Sequence, residues 1–250
     1  YKAGWRGAVF LVDDNFIGHK NRLKTELLRA VIHWMDAHHY PFEFTTEASI
    51  NLSDDTELME LMVRAGFSKV FVGIETPEEN SLAECNKFQN NKRGMIESVH
   101  TIQKSGMEVT AGFIVGFDSD PQNIFQRQID FIQSSGIVTA MVGLLNAPRL
   151  SKLYKRLHDE GRITSSFSGN NTDYSMNFIP KMNKTELMKG YQNIIQGIYS
   201  SKYYYKRVKI FLRNYRPAFK MQNTTSLTLF MAFLKSVLYI RILKKNRRYH

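Results

Sequence analysis

The sequence holds a single cysteine, Cys85, among its 250 residues. One thiol forms no internal disulfide and supplies no multi-cysteine metal site. The plain expectation is a free thiol in a reducing compartment, hence a cytoplasmic location. No charged stretch followed by an apolar run opens the chain, so no secretory signal is read there. The first residue is Tyr1 rather than Met, and we expect the natural protein to begin further upstream. No HExxH, nucleophile elbow or Walker loop occurs. His19, His33, His38 and His39 show no metal-ligand spacing. Acid is missing from a whole region: Lys202 to His250 holds 13 Lys and Arg but no Asp or Glu. The first 201 residues balance 21 cations against 23 acids. The net charge of +11 therefore belongs to the tail and says little about the main body.

What is present is alternation. Apolar runs of strand length, Ala8–Asp13, Phe42–Ala48, Lys69–Ile74, Glu108–Gly116 and Val138–Leu145, are separated by helical stripes. Leu23, Leu27, Val31 and Met35 recur every four residues. Leu58, Leu61, Met62 and Ala65 follow a cap at Ser53 or Asp54, and Gly66 stops them. Met95, Val99 and Ile102 run to Gly106. Asp120-Pro121 reads as a capped helix start before Phe125, Ile129 and Ile132. Leu150, Leu153 and Leu157 begin one more helix. Strand starts spaced by roughly 30 residues predict strand-helix-strand units, parallel strands and right-handed crossovers. Runs apolar on both faces predict strands covered on both sides. Pattern alone leaves a barrel-like sheet and an open doubly wound sheet equally open. Near residue 165 the pattern changes. Ser165–Thr172 reads as a loop, a stripe follows at Leu187, Tyr191, Ile194, Ile195 and Ile198, and the remainder is helical, basic and aromatic, with breaks near Pro217 and Asn223-Thr224. Two domains are expected, 1–164 and 165–250.

Three of the apolar runs end abruptly in acids or glycines: Ala8-Val-Phe-Leu-Val-Asp13-Asp14-Asn15, Val70-Phe-Val-Gly-Ile-Glu75-Thr-Pro and Ala111-Gly112-Phe-Ile-Val-Gly116-Phe-Asp118. Strand-helix enzymes place their chemistry at the carboxyl ends of parallel strands. Asp13 and Asp14 there suit an amine, a ribose, a base or a metal, and equally a turn. Glu47 needs a polar cavity or an exposed strand end. Glu75, fixed at a strand terminus before Pro77, suits ribose hydroxyls. Gly112 and Gly116 in one strand suit close approach of a flat ligand, or tight packing against a helix.

Together these segments, with Leu82–Asn91 and Asn146-Ala-Pro148, resemble the core of the radical S-adenosylmethionine enzymes. More narrowly, they resemble the class with an N-terminal cobalamin-binding domain. The resemblance covers about residues 1–160 in order, and the region beyond is similar to a helical extension of one subgroup. It implies a partial (βα)6 barrel, here lacking its first strand and cluster loop, followed by the helical extension. It also implies S-adenosylmethionine and a 4Fe-4S cluster bound by a CxxxCxxC loop. Reductive cleavage then gives a 5′-deoxyadenosyl radical for methylation or rearrangement of a small-molecule, peptide or lipid substrate, with electrons from a reductant such as flavodoxin or ferredoxin. Asp13 and Asp14 match the methionine-amine region and Glu75 the ribose position. Gly112 and Gly116 match the adenine strand, and Leu145 and Asn146 the last-strand contact. With Glu47 these form the candidate cofactor set. No catalytic residue is singled out. The chain has no CxxxCxxC: either the cluster cysteines and any cobalamin domain lie upstream, which is the expectation, or the chain is a relic that has lost the chemistry, and these residues alone are expected to be inactive.

The rival readings are an α/β enzyme using Asp13, Glu47 and Glu75 as acid-base groups, and a non-catalytic α/β module docked to RNA or a membrane by its basic tail. For the tail, the plain expectation is a helical appendage that packs its aromatics on the barrel and solvates its charges; Ser226–Leu243 is interrupted by Lys235 and Arg241, so the alternative is peripheral membrane contact rather than a spanning helix. Nucleic acid is not expected as a partner.

Overall fold

The computed structural model describes residues 1–90, 94–167, 169, 174–217 and 227–238. Five strands, β1 (Gly7–Leu11), β2 (Phe42–Glu47), β3 (Phe67–Glu75), β4 (Glu108–Val115) and β5 (Ala140–Leu144), form one sheet in the order β1-β2-β3-β4-β5, all parallel. Strand order that follows chain order curls one way, so the sheet is a partial barrel rather than a doubly wound sheet. The helices are α1 (Lys20–Arg22), α2 (Leu28–Ala37), α3 (Thr56–Arg64), α4 (Glu79–Glu84), α5 (Met95–Ser105), α6 (Ile124–Ser135), α7 (Lys152–Asp159), α8 (Lys184–Ile198), α9 (Ser201–Asn214) and α10 (Leu227–Leu238).

The two faces of the sheet differ. On β4, Val109, Ala111, Phe113 and Val115 are buried under helices, whereas Glu108, Thr110, Gly112 and Ile114 are half-buried on the concave side. On β3, Val70, Val72 and Ile74 alternate in the same way with Lys69, Phe71, Gly73 and Glu75. The expected double-sided covering is thus corrected. The concave face of a partial barrel is left for a cavity, and edge strand β1 leaves Phe10 51% exposed.

The helix ahead of β2 departs from its predicted four-residue stripe. A π-turn spans Leu23–Leu27, closed by the Leu28 N–H on the Leu23 carbonyl. The extra residue moves the buried stripe to Leu23, Leu28, Ile32 and Met35, and leaves Leu27 exposed. Helix α3 is capped by Asp55, whose carboxylate accepts the Leu58 N–H at 3.0 Å, rather than by Ser53 or Asp54.

The chain divides into two compact units, Tyr1–Phe219 and Lys220–His250. Within the first, α8 buries Leu187, Tyr191, Ile194 and Ile198, and Gly190 brings it against Phe125 of α6. Helix α9 is tied down by Arg207, which is fully buried. Its guanidinium donates to Gln133 Oε1 at 2.9 Å and to the carbonyls of Ile198 and of Val138, the last at 3.2 Å. Helix α9 ends at Asn214, ahead of Pro217. The expected break at Asn223-Thr224 and much of the 165–172 loop lie outside the described residues, as do Asn91 and Phe219.

Candidate functional site

Gly73 on β3 pairs in register with Gly112 on β4, and Met141 of β5 continues the row. Two adjacent glycines on the concave face leave a bare patch of backbone, the surface a flat ring can approach closely. Neither glycine has the positive φ that would demand glycine for the turn it makes. What a side chain would meet is instructive. A Cβ on Gly112 would lie 3.0 Å from the Phe71 ring, and one on Gly73 would lie 2.5 Å from the Glu75 carboxylate. The patch floors a cavity of about 340 Å³ bounded also by Glu75, Asn146, Tyr174 and Tyr191.

Glu75 is where β3 leaves the sheet. Its φ is +66°, and the Thr76 N–H bonds the Ile74 carbonyl at 2.9 Å, the i to i+2 bond of a γ-turn. A non-glycine residue in the left-handed region stores strain of about 1–3 kcal/mol that its surroundings must hold. Asn90 does so: its Nδ2 donates to the carbonyls of Gly73 and Ile74, both at 3.1 Å. The turn throws the carboxylate back over Gly73, where Lys87 Nζ meets Glu75 Oε1 at 3.0 Å. The Glu75 side chain is 15% exposed, so this acid is shielded yet reachable from the cavity.

The opposite wall comes from the segment after α7. Asn146 Nδ2 donates to the Ser175 carbonyl at 3.0 Å, and its Oδ1 accepts the Asn177 N–H at 3.1 Å. Asn177 in turn bonds both the N–H and the carbonyl of Ala147, at 2.9 and 2.8 Å. This amide clamp brings Tyr174 to the cavity beside Tyr191, ring centroids 5.7 Å apart. Tyr191 donates its hydroxyl to the Val142 carbonyl at 3.1 Å, and burial pushes its pKa up.

The exit of β4 is a turn rather than part of the cavity wall. Gly116 has φ +107° and sits under Met176 and Leu187. Asp120 turns back, and its Oδ2 accepts the N–H groups of Gly116 and Phe117 at 2.8 and 3.1 Å. Its Oδ1 accepts the Ser81 hydroxyl at 2.8 Å. Burial pushes Asp120 up to about 6 against those three donors. The expected helix start at Asp120-Pro121 is therefore corrected: the acid closes the strand exit, and α6 begins at Ile124. Next to it, Asp118 is buried, which raises its pKa, but hydrogen bonds from Arg162 and Arg156 outweigh this and hold it at about 2. Those contacts, at 2.6–2.7 Å, fasten the strand exit to Arg156 on α7 and to Arg162 just beyond it.

Of the residues singled out in the sequence, Glu75, Gly112 and Asn146 meet at one cavity. Asn146 spends its side chain on the wall. Glu47 ends β2 in register with Phe71, one strand away. Asp13 and Asp14 lie exposed after β1, and Asp13 accepts the Asn15 N–H at 2.9 Å in an Asx turn. Gly116 lies at the turn just described. The sequence reading passed over Gly73, Lys87, Tyr174 and Tyr191. Gly73 had a signal, a glycine inside an apolar strand; the others did not, because only folding brings them near β3. Among the described residues, no group of three or more His, Cys, Asp or Glu is placed to hold a metal ion. Cys85 donates its thiol to the Leu82 carbonyl at 3.4 Å, and burial pushes its pKa to about 11.

Residues 151–250 match a family described as a domain of unknown function, DUF4070. The chain is 41% identical over 233 residues to an uncharacterized methyltransferase of Synechocystis sp., covering 91% of this chain and 43% of that protein. It is 36% identical over 162 residues to the hopanoid C-2 methylase of Rhodopseudomonas palustris, covering 65% of this chain and 31% of that protein. It thus spans less than half the length of either relative. Among solved structures it matches the radical S-adenosylmethionine methyltransferase TsrM from Kitasatospora setae, determined with cobalamin and a 4Fe-4S cluster bound. The TM-score is 0.53 at 14% identity, over 84% of this chain and 44% of that one, a likeness of fold.

Proposed function

We propose that this chain, which carries the core fold of the radical S-adenosylmethionine enzymes, supplies the S-adenosylmethionine-binding part of a methyltransferase. The observation that carries the proposal is the in-register Gly73–Gly112 patch beside the Glu75 carboxylate, at the carboxyl ends of a parallel sheet. The residues present fit this cofactor. The adenine lies on the bare backbone, with the peptide groups near Leu145 and Asn146 at its polar edge. The ribose hydroxyls donate to Glu75. Lys87 holds that carboxylate in place through their ion pair at 3.0 Å. Tyr174 and Tyr191 close the wall against water. Asp13 and Asp14, exposed after β1, offer carboxylates to the methionine ammonium, while Glu47 stands at the end of β2, in register with Phe71, and Gly116 sets the strand exit. S-adenosylmethionine supplies the transferable methyl group and, given an electron from a reduced 4Fe-4S cluster, the means to start radical chemistry.

The cluster itself does not fit this chain's donors. A 4Fe-4S cluster takes cysteine thiolates, and the one cysteine is a protonated thiol facing a carbonyl. In this reading the cluster, and cobalamin with it, are held by parts of the protein other than these 250 residues. The substrate is a small molecule, peptide or lipid, with a flavodoxin- or ferredoxin-type reductant.

The test is to reconstitute the whole protein with iron and sulfide and assay reductive loss of the labelled methyl group of S-adenosylmethionine. Glu75→Gln removes charge-assisted hydrogen bonds of about 1.5–3 kcal/mol, so cofactor affinity is expected to fall at least tenfold. A protein that forms its cluster yet neither binds nor cleaves the cofactor overturns the proposal. The rival reading, a non-catalytic α/β module docked to RNA or a membrane by its basic tail, requires instead that the whole protein form no cluster and leave S-adenosylmethionine intact.

A further inference from the structure

Helix α10 carries an apolar stripe that the cofactor site does not use. Phe230, Met231, Phe233, Leu234 and Leu238 are 39–61% exposed. At 100° per residue they share an arc of about 160°. Lys235 sits at the edge of that arc, and Ser236 and Ala232 lie on the opposite side. Such a concentration of large apolar side chains on one face marks an interaction surface. Its 12 described residues span roughly 18 Å. No helix among the described residues is long and apolar enough to cross a membrane.

The charge around it selects the occupant. The unit that carries α10, Lys220–His250, has seven Lys and Arg and no acid, a composition complementary to an anionic surface. Cations flanking an apolar, amphipathic stripe are the signature of a helix lying in a membrane interface. A single-stranded nucleic acid would draw on stacking aromatics set among cations. Here the exposed stripe mixes Leu and Met with Phe and places a single cation, Lys235, at its rim, a surface for acyl chains rather than bases.

We propose that α10 docks the protein on an anionic lipid bilayer, with Phe230, Phe233 and Leu234 in the acyl boundary and Lys235, helped by the Lys and Arg that follow it in the sequence, at the headgroups. This does not rest on the cofactor reading, and either can fail without the other.

The experiment is co-sedimentation of the whole protein with vesicles of phosphatidylcholine alone, or of equal parts phosphatidylcholine and phosphatidylglycerol. Binding is expected to the mixed vesicles and to weaken strongly in salt of about 0.5 M, where screening shortens the reach of surface charge. Lys235→Glu is expected to lower the partition coefficient at least fivefold, since one cation near the surface is worth about that factor. Phe230→Ser with Phe233→Ser is expected to lower it tenfold or more, with circular dichroism and thermal melting recorded on the same variant to show that the barrel is folded. Binding that ignores lipid charge and salt overturns the proposal. So does a protein that stays off both vesicles but elutes as a dimer dissolved by the Phe variants, because a second copy then covers the stripe. Retention on RNA in place of vesicles overturns it as well.

Discussion

Replacing Gly112 by Ala separates a glycine kept for a ligand from one kept for packing. The new Cβ would stand 3.0 Å from the tip of the Phe71 ring and 3.5 Å from the next ring carbon. Phe71 is half-buried on the open side of the sheet, so its ring can swing away at little cost. Gly112 has no positive φ to preserve, and removing a strand glycine returns about 0.5–1 kcal/mol of backbone entropy. The fold should therefore lose nothing, with Tm unchanged or raised by up to about 4 °C. The added methyl nonetheless stands on the floor of the cavity, and S-adenosylmethionine affinity should fall tenfold or more. Gly190→Ala is the matched control. Its Cβ would lie 2.4 Å from the Phe125 ring, between α8 and α6. Overpacking costs about 1–3 kcal/mol, only partly offset by the ~1 kcal/mol that Ala gains in a helix. That variant should melt several degrees lower and bind the cofactor normally. Thermal unfolding and titration calorimetry on both variants decide the matter. If Gly112→Ala destabilises by more than about 2 kcal/mol while binding is intact, the glycine serves packing and the reasoning is wrong.

Three further predictions concern the frame around the site. Asp118→Asn should cost about 1–2 kcal/mol in urea unfolding at neutral pH, a figure reduced from the full shift for solvent screening. Because the folded carboxyl sits at about 2, below its ordinary 3.8, that stability is present above pH 3.8. The difference from the unmodified protein should close as pH falls towards 2. Arg207→Met should cost roughly 2–5 kcal/mol, because Gln133 and the carbonyls of Ile198 and Val138 lose a buried donor; an unchanged unfolding midpoint would mean that α9 is held by other contacts. Alkylation of Cys85 by iodoacetamide should be slow at neutral pH and climb until about pH 11, where burial has moved the thiol; a rate that levels off near pH 8 would refute it.

Much of the frame could be read because the central strands β3 and β4 bury one face under the helices. Val109, Ala111, Phe113 and Val115 make β4 plain, and the αL glycines Gly106 and Gly136 stop the helices where the pattern placed them. What failed, failed for local reasons that periodicity does not see. A single π-turn shifted the stripe after Leu23 by one residue, and Asp120 found N–H partners behind it, at Gly116 and Phe117, rather than ahead. The direction in which the sheet curls was not legible, since spacing alone serves a barrel and a doubly wound sheet equally. At the site, Glu75 stood out as an acid at a strand end, but the reason its carboxylate reaches the floor, a γ-turn held by Asn90 and Lys87, is a tertiary fact. So is the register that sets Gly73 against Gly112.

The central claim is tested most directly by the structure of the whole protein with S-adenosylmethionine bound. The adenine is predicted to lie on Gly73 and Gly112, with the ribose hydroxyls at hydrogen-bond distance, about 2.6–3.2 Å, from the Glu75 carboxylate. A cofactor bound elsewhere, with Glu75 still engaged only by Lys87, would contradict the account.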